Sequence, residues 1–169
     1  MSSEGSNPSV SATRSPGPTG AFVCPGEASK GLSRVRPQAY ARDMARQIIA
    51  TDRAPGSPLF SQGVRSGSTV YVSGMVGMDV RTGTLPDSIQ EQTRQALRNG
   101  EAVLEAAGVT LADVGMVTVL LAQPDDFAGM NEAYAEVFPQ SPPARAVGRL
   151  GPELPGIRVS IYMTAHLEG

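Results

Sequence analysis

The sequence has no tryptophan, a single cysteine (Cys24), a single histidine (His166) and no apolar run approaching the roughly 18 residues of a membrane-spanning helix. One cysteine excludes an intramolecular disulfide framework, and with one histidine it leaves too few soft ligands for a zinc site, so no metal is expected. An excess of positive charge is also missing. The 14 Lys and Arg stand against 16 Asp and Glu, a formal charge of −2, and without a basic field to hold a phosphate backbone, nucleic acid is not an expected partner. The N-terminus lacks a basic start followed by an apolar block, so no membrane association is expected and the cytoplasm is the expected location. Absent too are a G-x-S-x-G elbow, a Walker A loop, a G-x-G-x-x-G turn and an H-E-x-x-H helix.

What is present is unevenly spread along 169 residues, a length that suits one globular domain with an attachment. Residues 1–53 carry a net charge of +3 and residues 54–169 a net charge of −5. In residues 1–37, Ser, Gly and Pro fill 18 positions, and the apolar residues show no period. Such a segment cannot bury enough surface to offset its ordering entropy, which predicts a disordered tail over 1–37, a solubilising extension rather than a docking arm. Residues 38–46, following Pro37, read as a short helix or linker, and the folded domain is expected over 47–169.

From Gln47 onward the pattern is regular. Gln47–Thr51 reads as a short strand, residues 54–58 as a turn and Leu59–Arg65 as extended chain. The β-branched and aromatic run from Thr69 to Gly74 reads as a strand. Ser88 and Glu91 form a capping-box pattern ahead of a helix whose apolar stripe runs Ile89, Ala96, Leu97, Val103, Leu104 and Ala107 and stops at Gly108. Val114–Ala122 suits a central strand. Asp125 or Asp126 is placed to cap a second helix with Phe127, Met130, Tyr134, Val137 and Phe138 on one side, ended by Pro139. Ala144–Leu150 and Ile157–Leu167 read as strands joined by a turn at 151–156. In the last strand Val159, Ile161, Met163, Ala165 and Leu167 alternate with Ser160, Tyr162, Thr164 and His166. Two one-sided helices and a mixed sheet predict an α+β two-layer sandwich, its other sheet face free to pair with further subunits.

Few residues carry chemistry. Gly74 and Gly77 precede no helix, so a bulge or close backbone approach explains them better than phosphate binding. His166 has no partner cysteine or second histidine and reads as a surface or packing residue. Met75 and Met78 read as lining or core. Arg145 stands at the start of a strand directly after Pro142-Pro143, where a guanidinium with restricted backbone serves either an ion pair or capture of a carboxylate. Asn131 is the odd polar residue of an apolar helix, making local bonds or facing a pocket.

Several stretches in register carry a resemblance: Ile49–Asp52, Phe60–Gly63, Val70–Gly74, Thr82-Gly83, Gln95–Asn99, Val103–Gly108, Phe127–Tyr134 and Pro143–Arg145. From about residue 47 to the end, the chain strongly resembles the Rid proteins, the YjgF-type reactive intermediate deaminases. The combination of Pro143-Ala144-Arg145 with the upstream Asn131 and Tyr134 is specific. The resemblance implies a chorismate mutase-like fold and a homotrimer with clefts between subunits. It also implies a cofactor-free hydrolysis in which water adds to the carbon of a 2-imino acid and ammonia leaves, giving a 2-keto acid. Arg145 corresponds to the arginine that holds the substrate carboxylate, and Phe60, Gly74 and Asn131 to pocket positions, with Phe60 where the family often has Tyr.

Two positions depart from the family pattern. The glutamate that orients water in deaminating members falls at Tyr162, and a phenol with an ordinary pKa near 10 is a poor base at neutral pH. The turn after Arg145 is about two residues longer, bringing in Gly151, Pro152 and Glu153, of which Glu153 is a candidate replacement carboxylate. Two functions follow from the resemblance and these departures. One is a 2-iminobutanoate/2-iminopropanoate deaminase-like hydrolase, with Arg145 and Tyr162 at the reacting centre, possessing a general or a specialised pathway substrate. The other is a non-catalytic Rid-fold protein that binds a small carboxylate or a partner enzyme.

Overall fold

The computed structural model describes residues 46–151 and 153–167. The expected tail over 1–37 and the short helix or linker over 38–46, apart from Arg46, lie outside the described residues.

The described chain forms a six-stranded mixed sheet. Its strands are β1 (Gln47–Ile49), β2 (Gly63–Ser66), β3 (Thr69–Val76), β4 (Val114–Leu121), β5 (Ala144–Arg149) and β6 (Val159–His166). Helix α1 (Ile89–Ala106) follows β3 and helix α2 (Phe127–Val137) follows β4. The spatial order is β1-β2-β3-β6-β4-β5, antiparallel except for the parallel pair of β4 with β5, which the crossover helix α2 connects. This is the element order that the sequence pattern predicts, with the second strand shorter than expected. Instead of extending from Leu59, the chain turns through residues 52–60 and enters the sheet only at Gly63.

Register explains which side chains form the core. One row across the sheet runs Ile49, Gly63, Val72, Met163, Val117, Arg145, and the parallel rows above it include Ile161 with Val119 and Val159 with Leu121. The apolar members of these rows on β1, β3, β4 and β6 are buried, packed with Leu97, Val103, Leu104 and Met130 of the helices, whereas Val147 of β5 is exposed. The opposite face carries Ile48, Tyr71, Met116 and Tyr162, all exposed within the protomer. Among the described residues no helix is long and apolar enough to cross a membrane.

Ser88 caps α1 by accepting the Glu91 amide at 3.1 Å, but the Glu91 carboxylate pairs with Arg94 instead of returning to the cap. At α2 the expected Asp cap is not made. The helix is entered through a 3₁₀ turn over Pro124–Asp126, and the buried Asp126 carboxylate is held by Arg158, a stronger partner than a backbone amide. Polar side chains missing from the apolar stripe of α1 join the helix to the sheet. Asn99 donates to the carbonyls of Val76 at 2.8 Å and Met78 at 2.9 Å, and Gln92 donates to those of Pro86 and Gly156, each at 2.8 Å.

Gly77 lies where β3 runs under α1, and a Cβ there would stand 2.5 Å from Gln92 Cα and 2.6 Å from its carbonyl oxygen. Backbone cannot step aside as a side chain does. Gly77→Ala is therefore expected to lower unfolding stability by about 1–3 kcal/mol or more, read as a lower urea midpoint. An unchanged midpoint would contradict this packing.

Candidate functional site

Ser141, with φ of 47°, adopts the left-handed backbone that a non-glycine residue occupies only when its surroundings impose it. Pro142 and Pro143 follow, and together these residues aim the start of β5. Arg145 is paired with Val117, so its side chain leaves the sheet on the face covered by the helices. Its guanidinium lies over the Tyr134 ring of α2, 4.6 Å from the centroid, with Nη1 4.0 Å from the Met130 sulfur. Among the described residues no carboxylate stands within 4.0 Å of it. A guanidinium stacked on an aromatic ring, with paired donors unsatisfied by any acid, is suited to bind a carboxylate.

Tyr134 supplies that platform. Its ring packs against Phe138 at 4.8 Å between centroids, and its buried hydroxyl has no hydrogen-bond partner among the described residues. Burial pushes the phenol above its usual range while the Arg145 charge pulls it back, and the net direction is upward, so it stays neutral at physiological pH. Asn131, half-buried, follows Met130 in α2, one turn before the ring that carries Arg145.

Gly74 and Tyr162 form a separate group, with Phe60 in the adjoining loop. The register of β3 against β6 shifts between Val72 and Met75, a bulge that contains Ser73 and Gly74. The Tyr162 ring occupies the space above Gly74, where a Cβ would stand 2.8 Å from Cζ and 3.0 Å from the hydroxyl oxygen. Ser73 binds the incoming loop through its amide, to the Gln62 carbonyl at 2.9 Å, and its hydroxyl, to the Ser61 carbonyl at 2.6 Å. Those bonds bring the exposed Phe60 beside the bulge. Tyr162 is paired with Thr118, not Val117, so within one protomer Tyr162 and Arg145 lie on opposite sheet faces.

Glu153 belongs to neither group. It lines a polar cleft of 640 Å³ with Arg149 and Arg158 beyond the end of β5. The lengthened turn there is fixed from below. Arg158 donates to the Asp126 carboxylate and, at 2.9 Å, to the Asp87 carbonyl, while the Gln92 side-chain oxygen accepts the Arg158 amide at 2.9 Å. Sequence reading passed over Gln62 as well. Its buried amide accepts from the Thr51 amide at 2.7 Å and donates to the Ala54 carbonyl at 2.7 Å, shaping the loop that carries Phe60. Among the described residues no three His, Cys, Asp or Glu side chains are grouped to hold a metal ion.

Comparison with known proteins places this geometry. The sequence profile of the family described as Endoribonuclease L-PSP matches residues 51–167. The 2-iminobutanoate/2-iminopropanoate deaminase of Rattus norvegicus is 40% identical over 122 residues, 71% of this chain and 89% of the relative. Among solved structures, RidA from a Psychrobacter species aligns with a TM-score of 0.67 and 36% identity, covering 72% of this chain and 99% of that one. The E. coli protein TdcF, solved with bound serine, aligns with a TM-score of 0.68 and 32% identity over 72% of this chain and 99% of its own.

The Tyr134 platform makes a direct expectation. Tyr134→Phe keeps the ring and removes an unpaired hydroxyl, so binding of a small carboxylate such as 2-oxobutanoate, measured by calorimetry, should be unchanged. Tyr134→Leu removes a cation–π contact of about 0.5–1 kcal/mol and should weaken binding roughly 2- to 5-fold. Equal affinity in all three forms would show that the ring does not position Arg145.

Proposed function

The chain belongs to the Endoribonuclease L-PSP family, the Rid proteins, and from that membership we propose that it hydrolyses a reactive imine or enamine carboxylate to the keto acid and ammonia. The observation that carries the reading is Arg145, a cation held by Pro142-Pro143 and the Tyr134 ring with no carboxylate partner among the described residues. The substrate carboxylate completes it with two parallel charge-assisted hydrogen bonds. Phe60, Gly74 and Asn131 line the pocket in this reading. The bound serine of TdcF, a small molecule with a carboxylate, agrees with such a site in that relative. The net charge of −5 over residues 54–169 favours a small anion at one arginine over a nucleic-acid backbone.

In the reaction, an enamine first tautomerises to the imine. Water oxygen then forms a bond to the imine carbon, both water protons pass to nitrogen, and the C–N bond breaks to release ammonia and leave a carbonyl. Fixing the carboxylate at Arg145 places the imine carbon, which is the entropic part of the catalysis. Tyr162 offers a hydroxyl that both donates and accepts, so it holds the water without acting as a strong base. The steps need no metal or organic cofactor.

Because Arg145 and Tyr162 leave opposite sheet faces, one protomer cannot direct both at one substrate. The reading therefore includes a homotrimer whose sites lie between copies, Arg145 of one meeting Tyr162 of the next. The exposed row of Ile48, Tyr71 and Met116 on the uncovered face is the surface such an assembly buries.

Light scattering should give three times the chain mass of 17.6 kDa, and a monomer at micromolar concentration would remove the shared site. Arg145→Ala should cost about 2–5 kcal/mol of carboxylate binding or transition-state stabilisation, with little change in melting. Arg145→Lys should not restore it, because an ammonium lacks the paired donors. Ammonia release from an imine made in situ by an amino-acid oxidase reads out turnover. Tyr162→Glu should raise the rate if the missing water-orienting acid limits it. No turnover in either form, with carboxylate binding intact, would support the alternative of a non-catalytic binding protein.

A further inference from the structure

Arg145 is not the only cation on its side of β5. Arg145, Val147 and Arg149 are in register with Val117, Val119 and Leu121, all buried under the helices, so the three side chains share that face. A position that continues a core row ordinarily takes an apolar residue, and here only the middle one does. The two arginines stand four residues apart, about 13 Å between Cα atoms at ~3.3 Å per residue.

Val147 stands between them, and the surface beside it and Arg149 is apolar. A pocket of 390 Å³ is lined by Leu121, Pro124, Phe127, Val147, Gly148 and Arg149, with no carboxylate among them. Phe127, at the start of α2, is 47% exposed beside the pocket, whereas Met130 and Tyr134 farther along the helix lie at Arg145. Among the described residues Arg149, like Arg145, has no carboxylate within 4.0 Å. Arg149 also reaches the separate cleft beyond the end of β5, which it lines together with Glu153 and Arg158.

We infer that Arg149 is a second anion-binding position in the groove of Arg145, and that the substrate is a dianion. Its 2-imino carboxylate lies at Arg145, its short apolar chain crosses Val147 and Phe127, and a terminal acidic group reaches Arg149. The inference rests on the proposed deaminase reading for the first of these groups. Long, flexible arginine stems let the two guanidinium groups lean toward the middle of the groove and fit a ligand shorter than their Cα spacing. Two like charges along an apolar wall repel each other, and a dianion satisfies both. A monoanion leaves the second cation facing apolar surface unpaired, which is how such a groove discriminates.

Calorimetry on the full chain with 2-oxoadipate and 2-oxohexanoate tests this, because the two keto acids have the same length and differ in the terminal carboxylate. A charge-assisted bond of about 1.5–3 kcal/mol predicts that 2-oxoadipate binds roughly 10- to 100-fold tighter. Arg149→Gln should abolish the difference between the two ligands, chiefly by weakening 2-oxoadipate, Arg149→Glu should reverse it, and Arg145→Gln should weaken both ligands. Equal binding of the pair, or a preference that survives Arg149→Gln, overturns the inference and leaves the proposed reaction standing. Inward charges also protect edge strands from pairing. Aggregation of Arg149→Gln with the ligand preference intact would assign Arg149 to that role and equally overturn the inference. If neither ligand binds, or Arg145→Gln has no effect on 2-oxohexanoate, the carboxylate site itself is wrong.

Discussion

A six-stranded sheet is wider than two helices can cover. With strands about 4.8 Å apart, six of them span roughly 24 Å, whereas two helices side by side cover about 20 Å. In this chain α1 packs over β3 and β6, and α2 lies against α1 and Arg145 of β5. The uncovered remainder is the inward face of β5, all of whose residues are exposed although their register continues the core rows. Arg145 stands there at the end of the row Ile49, Gly63, Val72, Met163 and Val117, and Arg149 at the end of the row of Val159 and Leu121. The proposed groove is thus a consequence of incomplete coverage, and its floor has the rigidity of a core.

Rigidity at the edges comes from buried amides. Gln62, Gln92 and Asn99 are each at most 7% exposed. Gln62 and Gln92 satisfy backbone groups of loop segments, and Asn99 those of Val76 at the end of β3 and Met78 beyond it. An unpaired backbone carbonyl buried in these places would cost roughly 1–3 kcal/mol. Loop, helix and turn are therefore fixed by hydrogen bonds that require amides at those three positions. Asp126 and Arg158 serve the longer turn in the same way, with charge added.

Strand and helix identities were legible because their patterns are periodic. Alternation in Val159–His166 and the stripe of Ile89, Leu97 and Leu104 state which face is buried, and the burial follows them. The bulge at Gly74 and the close approach at Gly77 were legible from the glycines themselves. Strand ends and caps were less so. Asp126 has the composition of a cap but is taken by Arg158, a partner 32 residues away that no local pattern signals. The stripe of α2 predicted Phe127 as core, yet the helix runs past the covered part of the sheet and leaves it exposed. At the site, Arg145 and Asn131 were marked by being polar in apolar surroundings. The division between the two sheet faces, and the grouping of Arg149 with Arg145, required the parallel register of β5 on β4, which sequence does not specify.

The contact of Tyr162 with Gly74 ties two positions 88 residues apart into one heritable unit. The ring and the Ser160 hydroxyl, 2.6 Å from where a Cβ would stand, share the volume that any side chain at 74 would need, so an alanine there requires both to shift. The order of change matters. A lineage can exchange the phenol while position 74 is glycine, whereas filling position 74 first is opposed by both side chains. The bulge thereby constrains the order in which this sheet face can diversify.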